Sequence, residues 1–186
     1  MDQSVDMTTV SSNIREHTTR FQPCDRCPIA SKHKVFYRGG ELPIKYLFVG
    51  EAPGPSETVT HMPFTGTAGM ILNELLLDCE VSNFGITNVI ACFPFSPEKP
   101  TRFRVPSKEE IRNCKDRLDD LTECVTPMYY IALGKVAKAN PPTGITYSLE
   151  LDHPSYIARR GGVGTIEYKR CRHKLLKFMQ ETNWGE

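Results

Sequence analysis

The sequence has no long apolar run and no excess of charge of either sign. No apolar stretch approaches the roughly 20 residues that a membrane-spanning helix needs. The first residues also lack the basic start and apolar stretch of a secretory signal. Lysine and arginine number 23 against 22 aspartate and glutamate, a net charge of +1, so overall charge does not indicate a nucleic-acid partner. We therefore expect no membrane association and an intracellular, cytoplasmic location.

The composition is sufficient for one hydrophobic core. Of 186 residues, 39% are hydrophobic and 9% aromatic, which suits a single globular domain. Residues 1–20 are rich in Ser, Thr, Asp and Gln without a sustained apolar period, as is typical of a flexible arm or a short surface helix. We predict a flexible arm over residues 1–20, a domain over residues 21–186 and a monomer.

Apolar segments alternate between strand-like and helix-like patterns. Short β-branched and aromatic runs predict four strands, and longer amphipathic segments predict helices between and after them. The strands are predicted at 45–49, 85–90, 128–133 and 145–151, and the main helices at 67–79, 107–124 and 165–181. The stretch 93–106 holds four prolines and is predicted to be a loop. This alternation predicts an α/β fold, a three-layer α/β/α domain with a central four-stranded, mainly parallel sheet.

Polar residues stand where three of these strands end. Glu51 follows the first strand, Asn88 lies toward the end of the second, and His153 follows the fourth. Ligands of open α/β sheets bind beyond the carboxyl ends of the strands, so we expect these side chains to converge on one rim. Glu51 also has a structural interpretation, as part of a tight Pro-Gly turn, and His153 has one as a lone structural histidine. Phe64, between a proline and a glycine, is either a stacking platform or a cap on the core.

The chain contains seven cysteines. Without an export signal they are expected to stay reduced, so metal ligation by a subset is favoured over disulfides. Cys24 and Cys27 form a Cys-x-x-Cys pair, and spacing alone suits zinc as well as an iron–sulfur cluster. Three others lie in helical patterns and are interpreted as small buried apolar residues: Cys79, Cys124 and Cys171.

Basic residues are concentrated in two places. One cluster lies between residues 153 and 177 and another between residues 99 and 112. Such patches either follow phosphates or form ordinary solvated surface.

Four short motifs follow one another along the chain. They are Gly50-Glu51-Ala52-Pro53-Gly54, Pro63-Phe64-Thr65-Gly66, Thr87-Asn88-Val89-Ile90-Ala91-Cys92 and His153-Pro154-Ser155. In order, spacing and secondary-structure context, the chain from Cys24 to about Ser155 closely resembles the family 4 uracil-DNA glycosylases. The resemblance implies excision of a flipped uracil from DNA.

The resemblance also implies roles for single residues. Glu51 and His153 are the expected catalytic residues, Asn88 would read the uracil edge and Phe64 would stack on the base. The pocket backbone would include Gly50, Ala52, Pro53 and Gly54, and the DNA backbone would be held by Ser155, Arg159 and Arg160. A [4Fe–4S] cluster, with zinc as the alternative, is expected on Cys24, Cys27, Cys92 and Cys114.

Some positions depart from the family pattern. The stretch between Cys92 and Cys114 holds 21 residues, longer than is usual, and its additional residues could alter DNA contacts. They include Lys99, Arg102, Phe103 and Arg104, and the other departures are His61, Met62 and Thr65. These differences leave the base preference open, so one alternative is a glycosylase for another modified or deaminated base. A second alternative, independent of these positions, is a non-catalytic DNA- or protein-binding module on the same fold.

Overall fold

A five-stranded sheet forms the centre of the molecule. The computed structural model describes residues 7–40, 42–96 and 98–183. The strands are β1 (Arg38–Gly39), β2 (Tyr46–Gly50), β3 (Phe84–Asn88), β4 (Phe95–Ser96), β5 (Lys99–Phe103), β6 (Tyr129–Leu133) and β7 (Leu149–Leu151). The central sheet has the order β1-β3-β2-β6-β7, in which β1 is antiparallel to β3 and the other pairs are parallel. Strands β4 and β5 form a separate hairpin.

Helices connect and cover the strands. They are α1 (Met7–Phe21), α2 (Pro55–Thr60), α3 (Thr67–Asp78), α4 (Lys108–Asn113), α5 (Lys115–Val125), α6 (Gly134–Ala139), α7 (Pro154–Arg159) and α8 (Ile166–Asn183). Among the described residues, none of these helices is long and apolar enough to cross a membrane.

The core consists of two apolar layers, one on each face of the sheet. In β2, Tyr46 and Phe48 belong to a cluster that includes side chains of α3, α7 and α8. Leu47 and Val49 belong to the opposite cluster, with side chains of α1, α5 and α6. This alternation follows from the two-residue period of a strand. The predicted three-layer α/β/α fold with a mainly parallel sheet is confirmed.

The strand and helix predictions need three corrections. The sheet has five strands instead of four, because β1 is a two-residue antiparallel edge strand, too short to produce a sequence pattern. The predicted loop 93–106 contains the β4–β5 hairpin, whose prolines conceal its strand character. The helix predicted over 107–124 is divided at Cys114, whose ψ of 0° ends α4 before α5 begins.

The predicted N-terminal arm lies partly outside the described residues, which begin at residue 7. From Met7 the chain forms α1, which packs against α5. The anchor is His17, a buried side chain whose Nδ1 is 2.6 Å from Asp120 Oδ2. The separation of this segment from the domain stays a prediction.

Candidate active site

A pocket opens where the central strands end. It brings together residues from the β2–α2 turn, the start of α3, the hairpin and the start of α7. Of the residues predicted for the site, it is lined by Glu51, Ala52, Gly54, Phe64, His153, Ser155 and Arg159. This location follows from the parallel strands, whose carboxyl ends share one edge of the sheet.

His153 is held in one tautomer by the turn that follows it. The backbone N–H of Ser155 donates to His153 Nδ1 at 3.1 Å. Burial, reinforced by the positive charge of Arg159, lowers the pKa of His153 to about 4. The ring is therefore neutral at physiological pH, and because Nδ1 accepts a hydrogen bond, Nε2 carries the proton. The buried Nε2 has no hydrogen-bond partner among the described residues.

Glu51 is the second titratable side chain of the pocket. Burial raises the pKa of its carboxyl group, while the positive charge of Arg159 opposes that shift. Its Oε1 atom is buried and, within the described part of the chain, accepts no hydrogen bond. A carboxylate with a free acceptor atom is suited to bind a water molecule or a cationic centre.

Asn88 and Phe64 meet across the backbone of Gly50. A Cβ atom at Gly50 would lie 2.4 Å from Asn88 Oδ1 and 2.6 Å from the Phe64 ring, so only glycine fits there. Phe64 is buried, and its ring centroid is 5.8 Å from that of His153. Asn88 Oδ1 is a third buried polar atom without a hydrogen-bond partner in the described structure.

Glu57 joins the two loops of the pocket, a role that the sequence interpretation missed. Its Oε2 accepts the backbone N–H of Gly54 at 2.9 Å, and its Oε1 accepts that of Gly66 at 3.5 Å. The available signal was its position: a glutamate three residues after Gly54, with proline at the first helical position, is typical of a helix start.

Arg117 holds the end of β3 through hydrogen bonds, a second role that the sequence interpretation missed. This fully buried side chain donates to the carbonyl oxygens of Asn88 and Val89 at 2.6 and 2.8 Å, and to Thr87 Oγ1 at 3.2 Å. An arginine beside Leu118 on the apolar face of α5 was the signal for such a role, since a buried guanidinium needs several acceptors.

The remaining predicted site residues lie beside the pocket or point away from it. Gly50, Pro53 and Asn88 do not line it. The Arg160 guanidinium lies 5.4 Å from the centroid of the Tyr156 ring and faces Glu167. Several cations of the basic clusters are also paired with acids in the same way, namely Arg104, Arg170, Arg172 and Lys177.

The four cysteines of the predicted ligand set line one cavity. Cys24, Cys27, Cys92 and Cys114 surround it, and all seven cysteines of the chain are free thiols. At Cys24, burial raises the pKa, but hydrogen bonds from the Arg26 backbone and guanidinium outweigh it and leave the pKa lowered. The cavity thus holds four thiols and a nearby cation, a donor set that fits a thiolate-bound metal group.

Four thiols around one cavity suit tetrahedral zinc as well as an iron–sulfur cluster. Tetrahedral zinc with bonds of about 2.3 Å places its sulfur ligands only about 3.8 Å apart. Among the described residues, the only set of three or more potential ligand atoms within 4.8 Å of one another is formed by His17, Asp120 and Cys124.

The set formed by His17, Asp120 and Cys124 is separate from the cysteine-lined cavity. It lies where α1 meets α5, and the Arg20 guanidinium pairs with the Asp120 carboxylate. A guanidinium at this carboxylate opposes cation binding, and the contacts are those expected of a helix–helix anchor.

Comparison with known proteins agrees with this fold and pocket. The chain belongs to the uracil DNA glycosylase superfamily, whose family model matches residues 37–179. Similar curated proteins are the type-4 uracil-DNA glycosylases of Pyrobaculum aerophilum, 36% identical over 117 residues, and Thermotoga maritima, 35% identical over 121 residues. That of Archaeoglobus fulgidus is 32% identical over 117 residues. The resemblance to family 4 is confirmed.

These alignments cover part of each protein. They include 61%, 63% and 61% of this chain, and 57%, 60% and 56% of the respective relatives. The chain therefore spans less than two thirds of the length of the curated relatives it matches.

Proposed function

We propose that the chain is a DNA glycosylase that hydrolyses the N-glycosidic bond of a flipped uracil and leaves an abasic site. One observation carries the proposal: Glu51, Phe64 and His153 line one pocket, and the buried atoms Glu51 Oε1 and His153 Nε2 have no hydrogen-bond partner in the described structure. Asn88 Oδ1, also without a partner there, lies behind the pocket across Gly50 from the Phe64 ring. Buried polar atoms are rarely left unpaired, and a polar planar ligand against Phe64 would supply the missing partners.

His153 acts on the departing base. When the C–N bond breaks, its electron pair leaves with the base, and negative charge develops on a carbonyl oxygen of the pyrimidine. The neutral imidazole donates its Nε2–H to that oxygen and needs no proton from solvent. Loss of one such donor typically reduces the rate by about 10²–10³-fold.

Glu51 acts on the sugar. Departure of the base leaves an oxocarbenium-like sugar, which a carboxylate stabilises by its charge. Water then adds to the anomeric carbon and transfers a proton to Glu51. Exchange through solvent returns Glu51 to the carboxylate and protonates the departed base anion, so that the products are the neutral free base and an abasic site. General-base assistance of this kind contributes about 10²–10⁴-fold.

Asn88 and Phe64 select the base. The extruded base enters the pocket and stacks on Phe64, while the Asn88 amide matches the alternating donors and acceptors of the uracil edge. Ala52 and Gly54 line the pocket, and Gly50 and Pro53 are assigned to the adjoining backbone that supports it. Arg117 and Glu57 hold these groups in place through the hydrogen bonds described above.

The partner in this proposal is DNA, bound by a monomeric protein inside the cell. Ser155 and Arg159 line the pocket and are assigned to the phosphate backbone. Arg160 is assigned there as well, although its contact with Tyr156 must first be released.

Cys24, Cys27, Cys92 and Cys114 would hold a [4Fe–4S] cluster. Bound there, the cluster would tie residues 24–27 to the segment between Cys92 and Cys114 and would take no part in bond cleavage. The four thiols around one cavity support a thiolate-bound metal group there, and the resemblance to the family 4 enzymes favours the cluster over zinc.

A panel of single-stranded oligonucleotides tests the function. Each strand carries one uracil or another deaminated or modified base, and alkaline strand cleavage together with detection of free base reports excision. We expect release of uracil. Release of only another base would replace the proposed substrate, and binding without release would indicate a non-catalytic module.

A further inference from the structure

The β4–β5 hairpin brings an aromatic side chain to the mouth of the pocket. Phe103, the last residue of β5, lines the same pocket as Glu51 and His153. Its side chain is 42% exposed, whereas Phe64 is buried within the pocket. The two rings therefore occupy different places, Phe64 inside the pocket and Phe103 at its rim.

The hairpin holds Phe103 firmly. The Phe93 ring packs between two others, with centroid distances of 6.5 Å to Phe95 and 6.2 Å to Phe103. Two hydrogen bonds of Arg104 close the base of the hairpin: its backbone N donates to Pro94 O at 2.9 Å, and its side-chain Nε donates to Phe95 O at 2.9 Å.

An ion pair between the partly exposed Arg104 and the buried Glu110 attaches this hairpin to the domain. Arg104 donates to both carboxylate oxygens of Glu110 at 2.8 and 2.6 Å, and Glu110 also accepts the backbone N–H of Ser107 at 2.7 Å. Bidentate pairs of this kind fix orientation as well as distance. The position of Phe103 at the rim is thus built into the fold.

An exposed ring at this position is suited to a second nucleobase. When one base is extruded into the pocket, its neighbour along the strand remains near the rim. Aromatic side chains bind such bases by stacking, with little dependence on sequence. Exposed Lys99 and Arg102 on the same hairpin add positive charge near the path of the phosphates.

We propose that Phe103 stacks on the nucleobase adjoining the extruded nucleotide and thereby favours single-stranded DNA, in which that base is unpaired. This inference rests on the proposed function and extends it to the recognition of the strand. It gives Phe103 a role in binding, while bond cleavage remains with Glu51 and His153.

Steady-state kinetics of Phe103→Leu and Phe103→Trp on single- and double-stranded uracil substrates test the inference. Leucine keeps the apolar surface but removes the ring. We therefore expect KM on the single strand to rise about tenfold, which corresponds to a loss of ~1.4 kcal/mol of binding free energy. We expect little change in kcat, a smaller rise in KM on the duplex, and near wild-type values for Phe103→Trp. The matched control is Val105→Ala, an exposed apolar residue outside the pocket.

Wild-type KM for Phe103→Leu on the single strand would overturn the inference. An equal loss in both Phe103 variants, with a lowered Tm, would also overturn it, since it would indicate a structural role. These failures differ from failure of the proposed function, in which the wild-type protein itself releases no uracil. If wild type releases uracil and only the Phe103 effect is missing, the function stands without this contact.

Discussion

At the scale of single residues, the pocket combines a histidine that stays neutral with a carboxyl group that resists ionisation. Both shifts have the same main cause, burial, which disfavours the charged form of each group. It lowers the pKa of His153 and raises that of Glu51. The positive charge of Arg159 acts on both groups, lowering each pKa.

These shifts determine the expected pH dependence. The proposed mechanism needs ionised Glu51 and neutral His153, so we expect activity above both pKa values and its loss as the pH falls through them. The pKa of His153 is about 4, so this histidine should give no inflection near 6.5, where an ordinary histidine titrates. The rate of uracil release, measured between pH 4 and 8, should decline only on the acidic side.

The Glu51→Gln variant identifies the origin of that acidic decline. Because glutamine does not titrate, its residual activity should lose the part of the decline that belongs to Glu51. A wild-type inflection near pH 6.5 that disappears in His153→Ala would contradict the assignment of a neutral histidine.

The positions of Glu51, Asn88 and His153 could be predicted because each follows a strand, and strand ends are visible in the hydrophobic pattern. Glu57 and Arg117 could not be assigned in the same way. Their roles depend on which backbone groups lie opposite them, Gly54 N for Glu57 and Asn88 O for Arg117. Such pairings are tertiary contacts that local sequence does not encode.

At the scale of elements, the β4–β5 hairpin was the largest feature that sequence could not predict. Its strands are short, and one of its pairs is irregular in register, so alternation of polar and apolar residues is weak. The hairpin is stabilised by tertiary contacts that local propensity does not reveal. They are the tilted ring contacts around Phe93 and the Arg104–Glu110 ion pair. The start of α4 near Ser107 was predictable, because Ser107 and Glu110 have the spacing of a capping box, which the structure shows.

Removing the Arg104 charge should weaken this element. Arg104→Met leaves the buried Glu110 carboxylate without its bidentate partner, and we expect the free energy of unfolding to fall by about 2 kcal/mol. Chemical denaturation at neutral pH measures the change. Lys138→Met is the control, because it removes one partner of an exposed pair with Glu150, a type worth about 0–1 kcal/mol. Equal effects of the two variants would contradict the structural role given to Arg104.

At the scale of the whole molecule, the cysteine-lined cavity and the pocket are connected through one segment of chain. Glu110 lines the cavity and anchors Arg104, and the adjoining Phe103 lines the pocket. Loss of the group held by the cysteines should therefore affect the hairpin as well as the local loops.

Anaerobic purification of the wild-type protein should yield iron, acid-labile sulfide and a brown colour. Cys27→Ser should lose iron and unfold at a lower temperature, because one of four thiolate ligands is removed. The control Cys124→Ser changes a half-buried cysteine outside the cavity and should keep the wild-type iron content and unfolding temperature. A colourless protein with stoichiometric zinc, or iron retained in full by Cys27→Ser, would contradict the cluster assignment.

The most direct test of the central claim is the single-turnover rate of uracil release from a single-stranded oligonucleotide. Glu51→Gln and His153→Ala should each slow this step by about 10²–10⁴-fold and keep the wild-type fold and iron content. The matched controls, Glu123→Gln and His173→Ala at exposed positions, should retain the wild-type rate. Uracil release at the wild-type rate by either pocket variant would contradict the assignment of Glu51 and His153 as the catalytic pair.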